Sequence, residues 1–113
     1  MNVTPGRWLP LIPEVIEALP NHAGVFEVAN LVRNVLYIAR AEGQLRERVT
    51  ALGPFPNQLP PCPGGHYFRF ELTKAEDDTL HRRLTEFQSR HGGRLPIGNG
   101  REDLATRTAR CAA

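Results

Sequence analysis

Apolar and polar positions follow two different periods along this chain, and each change of period marks an element. Residues 66–73, HYFRFELT, alternate strictly: Phe68, Phe70 and Leu72 point one way and Tyr67, Arg69 and Glu71 the other, the period of a strand. Two earlier runs, GVFEVAN (24–30) and NVLYIAR (34–40), are short and rich in Val, Ile and aromatic residues, and their separation by Leu31-Val32-Arg33 suits a hairpin. From Gln44 the period lengthens. Leu45, Val49 and Leu52 fall at i, i+4 and i+7, one face of a helix that Gly53-Pro54 closes. The segment Leu9 to Pro20 contains PEVIEAL, where Pro13 suits a first helical turn, Glu14 and Glu17 favour its N-terminal half, and Val15, Ile16 and Leu19 form a short apolar face. Pro20 ends it, and Asn21-His22-Ala23-Gly24 reads as a turn.

Further along, Thr73-Lys74-Ala75-Glu76 has the form of a capping box, in which Thr73 accepts from the amide of Glu76 and the Glu76 carboxylate reaches back. The helix behind it carries Leu80, Leu84 and Phe87 as the predicted buried stripe and stops at Gly92-Gly93. Residues 53–65, GPFPNQLPPCPGG, hold five of the ten prolines and predict a stiff loop. Residues 100–113 predict a polar tail, or a last helix over Arg101 to Cys111. The order helix, strand, strand, helix, strand, helix, tail predicts an α+β fold: a small three-stranded antiparallel sheet flanked by helices, in one domain over residues 1–113.

Composition fits that size. With 41% apolar and 23% charged residues in 113, there is material for one core and not for two. No apolar run approaches the roughly 18 residues of a membrane helix, so no membrane partner is expected. The N-terminus has one Arg, prolines within its apolar stretch and no small-residue cleavage pattern, which makes the cytoplasm the expected compartment and Cys62 and Cys111 expected free thiols. The net charge of +2 is uneven: residues 82–113 set seven arginines against Glu86, Glu102 and Asp103, whereas residues 1–81 are net acidic. A basic C-terminal third could meet a polyanion. Thirteen arginines against the single Lys74 fit a codon bias equally well.

On five motifs in order, the chain resembles a GIY-YIG nuclease domain. Gly24-Val25-Phe26 stands where that family has its first motif and Tyr37-Ile38-Ala39 where it has its second, ten residues apart; Arg48 in LRERV matches the helix arginine, Glu86 the metal-binding carboxylate, and Asn99 in LPIGN the asparagine near the domain's end. The resemblance covers residues 19–99. It departs at Phe26, which lacks the usual Tyr hydroxyl, and at Ala39, which replaces the smallest residue.

What the resemblance implies is a GIY-YIG-like sandwich that hydrolyses a phosphodiester bond in nucleic acid, DNA in preference to RNA. One Mg²⁺ or Mn²⁺ would be held by Glu86 with several waters. Arg48 would stabilise charge on the phosphate. Tyr37 would orient or deprotonate the water, with Arg48 or Arg40 lowering its phenol's pKa. Phe26, Arg40 and Asn99 would support the site. The alternative is the same fold with its chemistry lost, a module that binds nucleic acid or a protein partner without cutting. A homodimer through an open sheet edge is a further expectation.

Each residue also has a purely local reading. Glu86 can pair along its helix with Arg83 or Arg90. Tyr37 can be strand packing, Arg48 can pair with Glu47 or Glu42, and Asn99 between Gly98 and Gly100 can form a turn. Cys62 and His66 have the spacing of half a zinc site, but His81 and His91 do not supply the other half. Trp8 reads as a packing residue.

Overall fold

The computed structural model describes residues 3–54, 56 and 59–99. Its elements are β1 (Leu9–Pro10), α1 (Pro13–Glu17), β2 (Gly24–Ala29), β3 (Val35–Arg40), α2 (Leu45–Leu52), β4 (Tyr67–Leu72) and α3 (Glu76–Arg90). The expected α+β class holds, with an antiparallel sheet and helices around it, but the sheet has four strands in the order β1-β4-β2-β3. The additional strand lies just ahead of the helix predicted at Pro13, in residues given no element by their pattern. Leu9 and Pro10 pair with Phe68 and Tyr67, and an edge position tolerates a proline because its missing N–H faces no neighbour. The helix expected to start at Pro13 does start there and runs for little more than one turn, to Glu17. The predicted polar helix over 101–111, and Cys111 with it, lie outside the described residues.

Strand β2 runs through the middle, and all six of its residues are buried. Its register divides the sheet cleanly. Phe26 faces Ala39 and Phe70, and Val28 faces Tyr37 and Phe68, while Glu27 faces Ile38 and Arg69. Side chains alternate along a strand and directly opposed residues share a face. Phe26, Val28, Tyr37, Phe68 and Phe70 therefore form one face, which joins Val15, Ile16, Leu45 and Val49 from α1 and α2 in the apolar core. The other face carries Glu27, Ile38, Arg69 and Glu71, and α3 packs there, against β2 and β3.

Three local expectations change. The capping box does not form: the helix begins behind Ala75, with no side-chain cap, and Thr73 Oγ1 accepts from the Ala75 amide at 3.1 Å. Glu76 is used elsewhere, its Oε2 accepting from the Gly24 amide at 3.0 Å and the Gly43 amide at 3.1 Å. It thereby ties the start of α3 to the start of β2 and to the turn after β3. Lastly, the stripe of Leu80, Leu84 and Phe87 is only half-buried, and Thr79 is the buried residue of α3. The sheet face under this helix mixes buried Val25 and Ile38 with Glu27, Arg69 and Glu71, so a wide apolar stripe has only a narrow matching surface to cover.

Gly24 owes its place to packing. A Cβ there would lie 2.3 Å from the carbonyl oxygen of Glu71 on β4, so any side chain would force the two strands apart. Among the described residues, no helix is long and apolar enough to cross a membrane.

Candidate functional site

The residues picked out by sequence separate onto the two faces. Tyr37 is 5% exposed and sits in the core, its ring edge-on to that of Phe26 with centroids 6.2 Å apart and planes at 70°. Arg48 lies half-buried on α2, the helix whose Leu45 and Val49 enter the same core, and its Nε is buried with no hydrogen-bond partner among the described residues. Neither Glu42 nor Glu47 pairs with it among those residues. Glu86 is exposed on α3 and lines a pocket together with Glu27, Ile38 and Arg69. Tyr37 and Ile38 are neighbours in one strand and point to opposite faces, so the sheet stands between the phenol and the Glu86 carboxylate.

The supporting residues are accounted for structurally. Phe26 is core. Arg40 makes an exposed ion pair with Asp77. Asn99 clasps the outer edge of β3, its Oδ1 accepting from the Ile38 amide at 2.9 Å and its Nδ2 donating to the Ile38 carbonyl at 2.8 Å. Gly98 permits this approach, since a Cβ there would lie 2.8 Å from the Leu36 carbonyl oxygen. The side chain thus supplies the hydrogen bonds of a missing strand, and at Ile38 the edge that could have paired with a second copy is taken.

What the structure does bring together is a set of arginines on the α3 side. The pocket there has a volume of about 310 Å³ and is lined by Trp8, Arg33, Arg69, Arg83 and Arg90, with Phe87 and His91 from the end of α3. Glu27, 4% exposed, is its floor. The Glu27 carboxylate accepts from Arg69 Nε at 3.2 Å and pairs with Arg83, which also pairs with Glu71. A carboxylate buried this deeply is costly to hold without such partners. Burial alone would lower the pKa of the Arg83 guanidinium, but its hydrogen bonds and charge contacts with Glu71 and Glu27 outweigh that and raise it. Two charges are thereby used up internally.

Arg33 and Arg90 differ, because neither pairs with a carboxylate among the described residues. Arg33 holds the left-handed backbone conformation, φ 68°, in the β2–β3 turn. That region is unfavourable for a long side chain. The turn is fixed by Asn30, whose Oδ1 accepts from the amides of Val32 and Asn34 at 3.1 and 2.9 Å. The guanidinium then lies 4.1 Å from the ring centre of Tyr67 and donates to the Leu31 carbonyl at 2.7 Å. Arg69 lies 4.6 Å from the centre of the Trp8 ring. These cation–π contacts hold planar donors in fixed orientations.

The Glu86 ion pair expected along the helix is not formed, since Arg83 turns to Glu27 and Glu71 and Arg90 stays apart. A divalent cation does not fit this site. Glu27 is already satisfied by two guanidinium groups, which leaves Glu86 as a single carboxylate in a pocket lined by four arginines. An anion fits it better.

No protein-family model, curated protein or solved structure matches the chain. Elsewhere, Cys62 is a free thiol, and burial raises its pKa. Its Sγ and the Nε2 of His66 both donate to the Pro60 carbonyl, at 3.5 and 3.0 Å.

The arginine pocket left two traces in the sequence. Glu27 interrupts the otherwise apolar run GVFEVA, the mark of a buried carboxylate in need of partners. Arg69 alternates with Phe68 and Phe70 and so had to face away from the core. Trp8, Arg33 and His91 carried no periodic signal.

Proposed function

We propose that this chain is a binding module that holds nucleic acid on the α3 side of its sheet and does not cleave it. The observation that carries this reading is the meeting of Arg33 and Arg90, both without carboxylate partners among the described residues, at one pocket walled by two more arginines and Trp8. Phosphate oxygens are the natural partners of planar guanidinium donors held in place. On this reading the strands GVF and YIA belong to a GIY-YIG-like sheet whose cleavage constellation is lost. Phe26 and Tyr37 pack against each other in the core, Arg48 stands on their side, and Glu86 is across the sheet.

The test is binding of a fluorescein-labelled oligonucleotide across a salt series, run beside a plasmid-nicking assay with Mg²⁺ or Mn²⁺. Affinity should fall as salt rises, and Arg33→Ala and Arg90→Ala should each reduce the log–log slope by about 1. Nicking should not exceed that of Glu86→Ala or Arg48→Ala. Cleavage by the wild type that both variants abolish would restore the hydrolytic reading, and binding indifferent to salt would remove the phosphate one.

A further inference from the structure

The end of α3 adds to the arginines a feature that phosphate binding alone does not require. Phe87 and His91 are stacked with ring centres 3.8 Å apart and planes within 9° of parallel. The His91 ring is fixed, because its Nδ1 donates to the Phe87 carbonyl at 2.7 Å, and the residue is exposed whereas Phe87 is half-buried. A flat ring backed on one side and open to solvent on the other suits a second flat ring. Arg90 precedes it by one residue, and Arg33 lines the same pocket from the hairpin.

We infer that the pocket takes a single nucleotide unit, with its phosphate on Arg33 and Arg90 and its base stacked on His91. The inference rests on the nucleic-acid reading above and narrows it to unpaired nucleotides. Bases within a duplex stack on one another and present only their edges, so they cannot use such a platform; unpaired bases can. The volume agrees, since about 310 Å³ is at the small end of ligand clefts and suits one unit instead of a tract.

The same chemistry is offered by a single strand and by a free nucleotide, so the experiment carries both. Binding of a labelled 12-nucleotide single strand is compared by anisotropy with binding of the duplex of the same sequence, with 5′-AMP and inorganic polyphosphate as unlabelled competitors. The single strand should bind at least about 10-fold more tightly than the duplex. His91→Ala should weaken single-strand binding by about 5-fold or more and leave duplex binding unchanged, while His91→Phe should retain it. Arg33→Ala with Arg90→Ala should weaken both. Displacement of the strand by 5′-AMP at concentrations where polyphosphate of equal charge is inert supports the site with a free nucleotide as its ligand. Failure of 5′-AMP to compete, with His91→Ala still impaired on the strand, supports it with the strand as its ligand. Equal binding of strand and duplex with a silent His91→Ala overturns the stacking inference and leaves the phosphate reading standing. Binding of no polyanion at all overturns both.

Discussion

On the side of the sheet that carries Phe26, Val28, Phe68 and Phe70, α1 and α2 cover the strands with Val15, Ile16, Leu45 and Val49. On the other side, under α3, the same strands present Glu27, Arg69 and Glu71, and Arg83 reaches down from the helix to join them. The first face is held by removal of apolar surface from water, which is non-directional and tolerant. The second adds to buried Val25 and Ile38 a set of charge-assisted hydrogen bonds, which fix the arginines in position yet contribute little net stability beyond the cost of burying them. Beside that face, Arg33 and Arg90 line the same pocket and make no ion pair among the described residues.

Substitutions can break or sharpen this contrast. The largest loss should come from the apolar face. Phe68→Ala removes a fully buried ring from the centre of the core and should cost about 3–5 kcal/mol in urea unfolding. Glu27→Ala should cost about 3 kcal/mol, because it strands the Arg69 and Arg83 guanidinium groups without their shared carboxylate. The sharper test is the triple variant Glu27→Leu, Arg69→Met and Arg83→Met, which removes the buried carboxylate with both of its partners. If pairing is what that face requires, the triple variant should regain most of the loss, and continued instability would show that the charges are needed for more than each other.

Asn99→Ala should cost about 1–2 kcal/mol through two lost backbone hydrogen bonds at the β3 edge. Faster hydrogen exchange at the Ile38 amide would locate that effect. Smallest in stability is Glu86→Gln, expected within about 0.5 kcal/mol of wild type because the side chain is exposed and makes no ion pair among the described residues. Its effect on binding separates the two functional readings. Removal of a negative charge from an anion pocket should tighten oligonucleotide binding by about 2- to 5-fold, whereas removal of a metal ligand would abolish any metal-dependent cleavage.

The apolar face was legible in the sequence because its signal is periodic. Phe68 and Phe70 alternate with Arg69, and Leu45 and Val49 recur at helical spacing, so register and facing followed from the order of residues. The Leu9-Pro10 strand went unpredicted because two residues, one of them a proline, carry no period, and their pairing with Phe68 and Tyr67 is decided by a strand nearly sixty residues away. Thr73-x-x-Glu76 satisfied a local rule, yet two long-range amides, those of Gly24 and Gly43, competed for the Glu76 carboxylate and won it. The candidate site suffered in the same way. Arg33 sits on a hairpin tip and His91 just past a helix end, positions whose direction is set by a turn or a single hydrogen bond and by no repeating pattern. Matching letters at Tyr37 and Glu86 gave order along the chain, while strand alternation turned Tyr37 to one side of the sheet and the packing of α3 set Glu86 on the other.

The central claim is that ligand binds on the α3 face and not on the face of Tyr37 and Arg48. It is tested most directly by titrating the ¹⁵N-labelled protein with an unlabelled single-stranded 12-mer and following amide and side-chain shifts. The largest changes should fall on the Trp8 indole, the Arg33 turn and the stretch from Phe87 to His91, with Phe26, Tyr37 and Arg48 still. Changes concentrated at Tyr37 and along α2, with the α3 pocket undisturbed, would contradict the account.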